Sequence, residues 1–372
     1  MRSPKSPPGS FTIGVVRNKH REGITTDARD WSMVHVGSLI QNQQVVTIEG
    51  STLVEDACQK LIDNNISSAP VLGAPQSKSP TSGIERKKSY IGMFDYGDLI
   101  TYVLIVLKRS NVSLSDEDDA SLEIKEIVKR AVAGQSVPVR LASDLSRKNP
   151  FYSILPETTL LSVVEEFACG THRVAVTKPD GDIQGMLSQS TVINFLFKNM
   201  HNFSDLESLM NRTLRELGLG HNSVISVNAD SPVLDALTLM SKYGVSSLAV
   251  VGQMGVLLGN ISITDVKYVI KSKNSLLWNT CFQFVGIVRS KQGIDDGQDR
   301  YPVFDVKLDT ILYQTVAKLI ATKAHRLWVT DDRGRATGVV SLTDVLRVIA
   351  KSAGLSVSEL RRRDSLAKGP WA

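Results

Sequence analysis

Residues 338–349 read GVVSLTDVLRVI, which places Ser341, Thr343 and Asp344 where an apolar strand pattern gives way to an apolar helical pattern. An Asp in the first turn of a helix can accept two hydrogen bonds from the vicinal hydroxyls of a ribose. Hydroxyls three and one residues earlier can hold phosphate oxygens together with the free N–H groups of the helix start. A base would then lie between apolar strand residues, so the cluster suits a nucleoside phosphate. The stretch GNISITDVKYVI from Gly259 repeats the set as Ser262, Thr264 and Asp265. Worn copies, GMFDYGDLITYV from Gly92 and GMLSQSTVINFL from Gly185, carry Asp98 and Thr191 at the position of the Asp. For any single copy helix capping is the commoner explanation. Four copies in register argue for a ligand.

The elements around the motif repeat as well. Arg173, Ser247 and Arg326 stand twelve residues before Gly185, Gly259 and Gly338, at the head of THRVAV, VSSLAVV and AHRLWV. In the first copy Ser68 stands twenty-four before Gly92, and the excess is a Pro, Ser, Gly and Lys-rich insertion at 73–89, expected to be a mobile loop. Ahead of each strand runs a helical pattern, at 52–65, 159–170, 231–244 and 310–323, with Thr52, Thr159, Ser231 and Thr310 as expected N-caps. Each unit therefore reads as strand, helix, strand, strand, helix. One such unit leaves apolar faces uncovered, so pairing is expected.

The expected organisation is a tail at 1–31, units at 32–108, 137–200, 201–273 and 274–355, an acidic linker and helix at 109–136, and a tail at 356–372. The two pairs, 32–200 and 201–355, are expected to form a flat pseudo-twofold disc, each pair packing through its helices. Residues 288–304 read as a second loop-rich insertion.

His172 with Arg173 and His325 with Arg326 supply cations for phosphate. Neighbours on a strand point to opposite faces, so each pair is expected to send only one side chain to a given site. Ser246 occupies the corresponding place in the third unit. The nucleotide-binding set is thus Ser262, Thr264, Asp265, Ser341, Thr343, Asp344, His325, Arg326, His172, Arg173, Ser246 and Asp98.

Composition excludes other classes. Forty-three basic and 38 acidic residues leave a net charge of +5, and the charges are interspersed, so nucleic acid is not implied. The longest strongly apolar run, YVLIVL at 102–107, is too short for a bilayer, and MRSPKSPPGS lacks the apolar core of a signal peptide. No membrane association is expected, and the location expected is cytoplasmic, with the nucleus as a second compartment. Cys58, Cys169 and Cys281 are far apart and expected to be buried and reduced. No Gly-rich phosphate loop, catalytic triad or metal-ligand spacing occurs, so neither enzyme activity nor a metal is expected. Ser3 and Ser6, each before Pro, and Ser365 after three arginines resemble kinase target sites.

The four units, over about 34–352, resemble cystathionine-β-synthase (CBS) repeats, whose signature is Gly, two apolar residues, Ser or Thr, two residues and Asp before a helix. Four in one chain, with AHRLWV and THRVAV, resemble the γ subunit of AMP-activated protein kinase. A closer resemblance, carried by FDYGDLITYVLIVL (94–107), VPVRLASDLSRKNPFYSILPETTLL (137–161), QGIDDGQDRYPVF (292–304) and KLIATKAHRLWVTDD (318–332), is to a fungal family of four-CBS proteins linked to cell division, cell separation and the restraint of type 2A-like phosphatases. The resemblance implies an α/β fold of two tandem CBS pairs, AMP, ADP or ATP as regulatory ligand, and phosphatase or kinase subunits as partners. In the kinase subunit both histidines and both arginines crowd the central phosphate region. Departures weaken two sites: Ser67 stands where that subunit carries a phosphate-binding Arg, Asp95 replaces the motif hydroxyl, and Thr191 replaces the motif Asp.

Overall fold

The computed structural model describes residues 30–41, 43–73, 89–109, 122–272, 275–296 and 304–356. Residues 74–88 of the expected loop, 110–121 with the acidic stretch, 297–303, and residues 1–29 and 357–372 of the tails, with Ser3, Ser6 and Ser365, lie outside the described residues.

The described chain contains four three-stranded sheets. In the first unit, β1 (Ile48–Glu49), α1 (Val54–Asp63), β2 (Ser68–Leu72), β3 (Tyr90–Asp95) and α2 (Tyr96–Arg109) follow in order, then α3 (Leu122–Val132). The second has β4 (Ser153–Ile154), α4 (Leu160–Ala168), β5 (Arg173–Thr177), β6 (Ile183–Ser188) and α5 (Gln189–Asn199), followed by α6 (Ser204–Met210). The third has β7 (Ser226–Asn228), α7 (Val233–Tyr243), β8 (Ser247–Val251), β9 (Leu257–Ser262) and α8 (Val266–Lys271), followed by α9 (Cys281–Asp296). The fourth has β10 (Asp305–Val306), α10 (Leu312–Thr322), β11 (Arg326–Thr330), β12 (Ala336–Ser341) and α11 (Leu342–Ser352). In every unit the first two strands are parallel, the last two antiparallel, and a register shift falls at the same place near the end of the middle strand.

Within each pair the chain ahead of one unit packs on the other unit. Leu160 N donates to Val34 O and Val54 N to Val137 O; in the second pair Leu312 N donates to Arg212 O and Val233 N to Asn279 O. These backbone carbonyls satisfy one orphan N–H at the start of α4, α1, α10 and α7. Three of the four expected hydroxyl caps are absent, because α1, α7 and α10 begin one residue later than expected, after Leu53, Pro232 and Ile311; of the four, only Thr159 acts as a side-chain cap.

The exchange also explains the motif glycine. A Cβ on Gly92 would meet Asp144 at 2.7 Å, on Gly185 Ile40 at 2.9 Å, on Gly259 Val285 at 3.0 Å, and on Gly338 the Gly220 carbonyl at 1.7 Å. Each of these neighbours belongs to the exchanged segment of the sister unit. At Gly338 the demand is close approach of another backbone, and at the other three it is room for a side chain of the exchanged segment.

The helices do not join the members of a pair, contrary to expectation. One core is built from the first and third units, with Phe94, Leu104, Leu237 and Phe284 among its members; the other combines the second and fourth, with Phe167, Leu196, Leu319 and Leu346. Accordingly α2 packs on α7 and α8, and α4 on α11. Sheets and exchanged segments hold each pair together, which leaves the apolar helix faces to join pair to pair. A further difference is α9, which runs on to Asp296 into the expected loop, because buried Phe284, Val285 and Val288 continue an apolar face past Gly286.

Cys58 and Cys281 are buried free thiols, pushed up to about 12 chiefly by burial, and so are inert. Cys169 differs from expectation: it is half-buried at the end of α4 and borders a cavity. No described helix is long and apolar enough to cross a membrane, and no group of three or more potential metal ligands occurs among the described residues.

Candidate functional site

Strand register places the cations beside the motif turns. Arg326 pairs with Ser341, Arg173 with Ser188 and Ser247 with Ser262, each at the strand end nearest a helix start. One step further, Leu342 N donates to His325 O, Gln189 N to His172 O and Ile263 N to Ser246 O. His325 and His172 therefore sit just ahead of their strands, where alternation of side chains does not yet apply. Both members of each His-Arg pair border the same cavity, which overturns the expectation of one side chain per site.

Between the third and fourth units lies a cavity of about 390 Å³. Ser262, Thr264 and Asp265 border it on one side, Ser246, His325 and Arg326 on another, with Phe284, Val285, Val288 and Trp328 as apolar wall. Its size falls in the range of small-molecule pockets. Trp328 Nε1 donates to Asn260 Oδ1 at 3.2 Å, which fixes the indole in the wall.

The two complete motifs are also capping boxes. Asp265 Oδ2 accepts from Ser262 N at 2.7 Å and from its hydroxyl at 2.9 Å; Asp344 Oδ2 accepts from Ser341 N at 2.9 Å and from its hydroxyl at 2.6 Å. Capping and ligand binding are not exclusive, since each cap uses one oxygen. The expected two-oxygen grip on a ribose is nevertheless reduced to one. Burial pushes Asp265 above the usual carboxylate range, against the hydrogen bonds from Ser262. Asp344 Oδ1 lies 3.4 Å from Arg347 Nη1, and Asp344 borders neither cavity, whereas Ser341 and Thr343 border the second.

The second cavity, about 620 Å³, is central: the motif turns of all four units reach it, as Asp95–Gly97, Ser188–Ser190, Ile263–Thr264 and Ser341–Thr343. It adjoins the first cavity at Ser246, Thr264, His325 and Arg326, which border both. Lys148, Arg173, Arg326 and Arg347 border it as cations, with His172 and His325 beside them and Asp95 opposite. Arg326 Nη2 donates to Ser246 Oγ at 2.5 Å and Arg173 Nη1 to Ser67 Oγ at 3.4 Å, so each arginine reaches across to the sister unit. Burial pulls Arg326 down to about 10, opposed by Asp344. Burial, then Arg173 and Arg326, hold His325 below the usual imidazole range, leaving it neutral at pH 7.

Asp98 is withdrawn from any ligand. Its Oδ2 accepts from Asp95 N at 3.0 Å and its Oδ1 from Ser146 N at 2.8 Å, and it is 2% exposed. Burial, then Asp95, push it well above the carboxylate range. Thr191 takes part in the cap of α5 through Ser188 and borders neither cavity. Sequence reasoning missed Lys148, Arg347, Trp328 and Gln189, whose Nε2 donates to Thr343 Oγ1 at 3.0 Å and ties the second motif turn to the fourth. Gln189 stands where the sister motifs have Ile263 and Leu342, a polar exception that could have marked it.

The family model of the CBS domain matches residues 36–105, 214–272 and 300–351. The second unit, which carries Thr191 at the Asp position, lies outside the match yet has the same fold. Protein SDS23 of Yarrowia lipolytica is 37% identical over 360 residues, which cover 88% of this chain and 68% of that protein. The chain belongs to the SDS23 family. SDS23 of Meyerozyma guilliermondii is 36% identical over 84% of this chain and 59% of its own length, and sds23 of Aspergillus niger 37% identical over 82% and 58%. The chain thus spans under two thirds of two of these three SDS23 relatives. Among solved structures, protein MJ1225 of Methanocaldococcus jannaschii, described as an archaeal homolog of γ-AMPK, superposes with a TM-score of 0.61 at 15% identity, over 85% of this chain and all of that one, a likeness of fold. This SDS23-family chain carries CBS domains and is built as two CBS pairs.

Proposed function

We propose that the protein is a non-catalytic regulator that binds an adenine nucleotide and restrains a type 2A-like protein phosphatase in cell-cycle, cell-separation or nutrient signalling. The observation that carries the nucleotide reading is the cavity between the third and fourth units, where an apolar wall with Trp328 faces Arg326, His325 and the hydroxyls of Ser246, Ser262 and Thr264. The wall suits the base. The remaining oxygen of Asp265 suits a ribose hydroxyl, and Arg326 suits the phosphate at the mouth of the central cavity. The hydroxyl and carboxylate that pair in the cavity, Ser262 and Asp265, form a helix capping box, which supports a sensing role over a chemical one.

The phosphatase reading rests on the family to which the chain belongs and on segments outside the nucleotide motif, among them 137–161. A second reading, a γ-type subunit of an AMP-activated or sucrose-non-fermenting kinase, is favoured by the paired His172-Arg173 and His325-Arg326 at equal repeat positions. Affinity purification from a native extract separates them: phosphatase catalytic subunits support the first, kinase α and β subunits the second. Recovery of neither, with no gain in Tm from AMP, ADP or ATP, leaves a ligand-free scaffold. A bound nucleotide at 100 times its Kd stabilises by about 2.7 kcal/mol, well within reach of a melting measurement.

A further inference from the structure

We propose that Asp95 is a built-in counter-ion which occupies the phosphate position of the first CBS pair, confining phosphate ligands to the pair formed by the third and fourth units. The inference rests on the nucleotide reading above for the second pair, and concerns a residue that the motif comparison alone marks only as an exception. Asp95 stands at the position of Ser188, Ser262 and Ser341. Its Oδ1 accepts from the N–H groups of Gly97 at 2.7 Å and Asp98 at 3.1 Å, donors at the start of α2 that an incoming phosphate oxygen would need. Its Oδ2 accepts from Asn149 Nδ2 at 2.8 Å and lies 3.6 Å from Arg173 Nη2.

Arg173, the counterpart of Arg326, is therefore already neutralised by a carboxylate from within the protein, with Ser67 on its other nitrogen. In the second pair Arg326 donates instead to the Ser246 hydroxyl and the Ser247 carbonyl, both uncharged, so its charge remains available to an anion. Asn149 adds a second sign of a site closed from inside. Its amide nitrogen is held by Asp95, while its Oδ1 is buried without a hydrogen-bond partner among the described residues. Asp95 is also the one acidic residue among the described residues bordering the central cavity, and a carboxylate there repels phosphate.

The test is equilibrium dialysis of the full chain with radiolabelled AMP and ATP. The parent is expected to bind one equivalent per chain. Asp95→Ser restores the hydroxyl of the sister motifs, where Ser188 and Ser341 cap the corresponding helices, and is expected to bind two, the second more weakly than the first because neither Asp98 nor Thr191 offers it a free motif carboxylate. Adding Arg173→Ala to that variant is expected to return the count to one. Asp95→Asn keeps the shape and the capping oxygen and loses only the charge, so it reads the same gain, more weakly, should Asp95→Ser fail to fold. Folded variants that bind no more than the parent overturn the inference. A parent that binds nothing while Asp95→Ser binds one equivalent refutes the nucleotide reading of the second pair and supports the counter-ion role of Asp95.

Discussion

Arg326 of the fourth unit donates to the hydroxyl of Ser246 in the third at 2.5 Å, where the residue ahead of each middle strand meets the motif turn of its own unit. The contact places a half-buried guanidinium on the boundary shared by both cavities. Charge-assisted hydrogen bonds are worth roughly 1.5 to 3 kcal/mol each, one to two decades in affinity. Arg326→Ala is expected to weaken adenine-nucleotide binding at least tenfold, and Ser246→Ala by less, since Ser246 orients a cation that remains. Calorimetric titration of both variants checks the order.

Asp265 and Asp344 share a capping box but not a cavity. Asp265→Ala is expected to lower both stability and nucleotide affinity, Asp344→Ala stability alone, with a loss of about 1 kcal/mol from each cap. Thr191→Ala is expected to leave affinity unchanged. Denaturant melts paired with titrations of the three variants separate cap from ligand contact.

Gly338 faces the Gly220 carbonyl so closely that a Cβ would lie 1.7 Å from it, a clash with backbone on both sides. Gly338→Ala is expected to cost more than about 3 kcal/mol by forcing the exchanged segment off β12, among the large effects for a single substitution. Gly134, at φ 65° with open space around it, is the control: Ala there is expected to cost far less, from backbone conformation alone. Chemical denaturation of the two variants gives the comparison.

Asp144 is pushed up to about 6, first by burial and then by Asp95, against the hydrogen bond from Met93 N. Its folded form holds a proton that its unfolded form releases near pH 4, so its contribution to stability falls as pH rises from about 4 to 6 and is constant above. Asp144→Asn keeps the acceptor and suits the left-handed backbone at φ 53°. The melting temperatures of variant and parent are expected to coincide near pH 4 and to separate by pH 6.5, with the variant higher.

The repeat was legible because spacing survives in sequence: the twelve residues from Arg326 to Gly338 and the Ser-Thr-Asp turn became β11, β12 and the start of α11. The exchange of segments within a pair was not legible, since its hydrogen bonds run through the backbone carbonyls of Val34 and Val137, and the buried side chains of the two valines read as ordinary apolar positions. The fates of Asp98 and Asp344 were hidden too, because Ser146 and Arg347, which occupy them, lie outside the signature.

His325 offers a readout of phosphate. It is neutral because burial, Arg173 and Arg326 oppose its protonation, and a phosphate bound beside those cations would offset them and draw a proton onto the ring. Nucleotide affinity is expected to rise as pH falls from 7.5 to 6, with the slope lost in His325→Gln. Titration in buffers of different ionisation enthalpy would register the proton uptake.

Calorimetric titration of the full chain with AMP, ADP and ATP, run beside Arg326→Ala, tests the central claim most directly. The account predicts saturable binding of one equivalent by the parent and at least a tenfold weaker Kd for the variant. No binding by the parent, or equal Kd values for parent and variant, would contradict it and leave the Ser-Thr-Asp turns as helix caps alone.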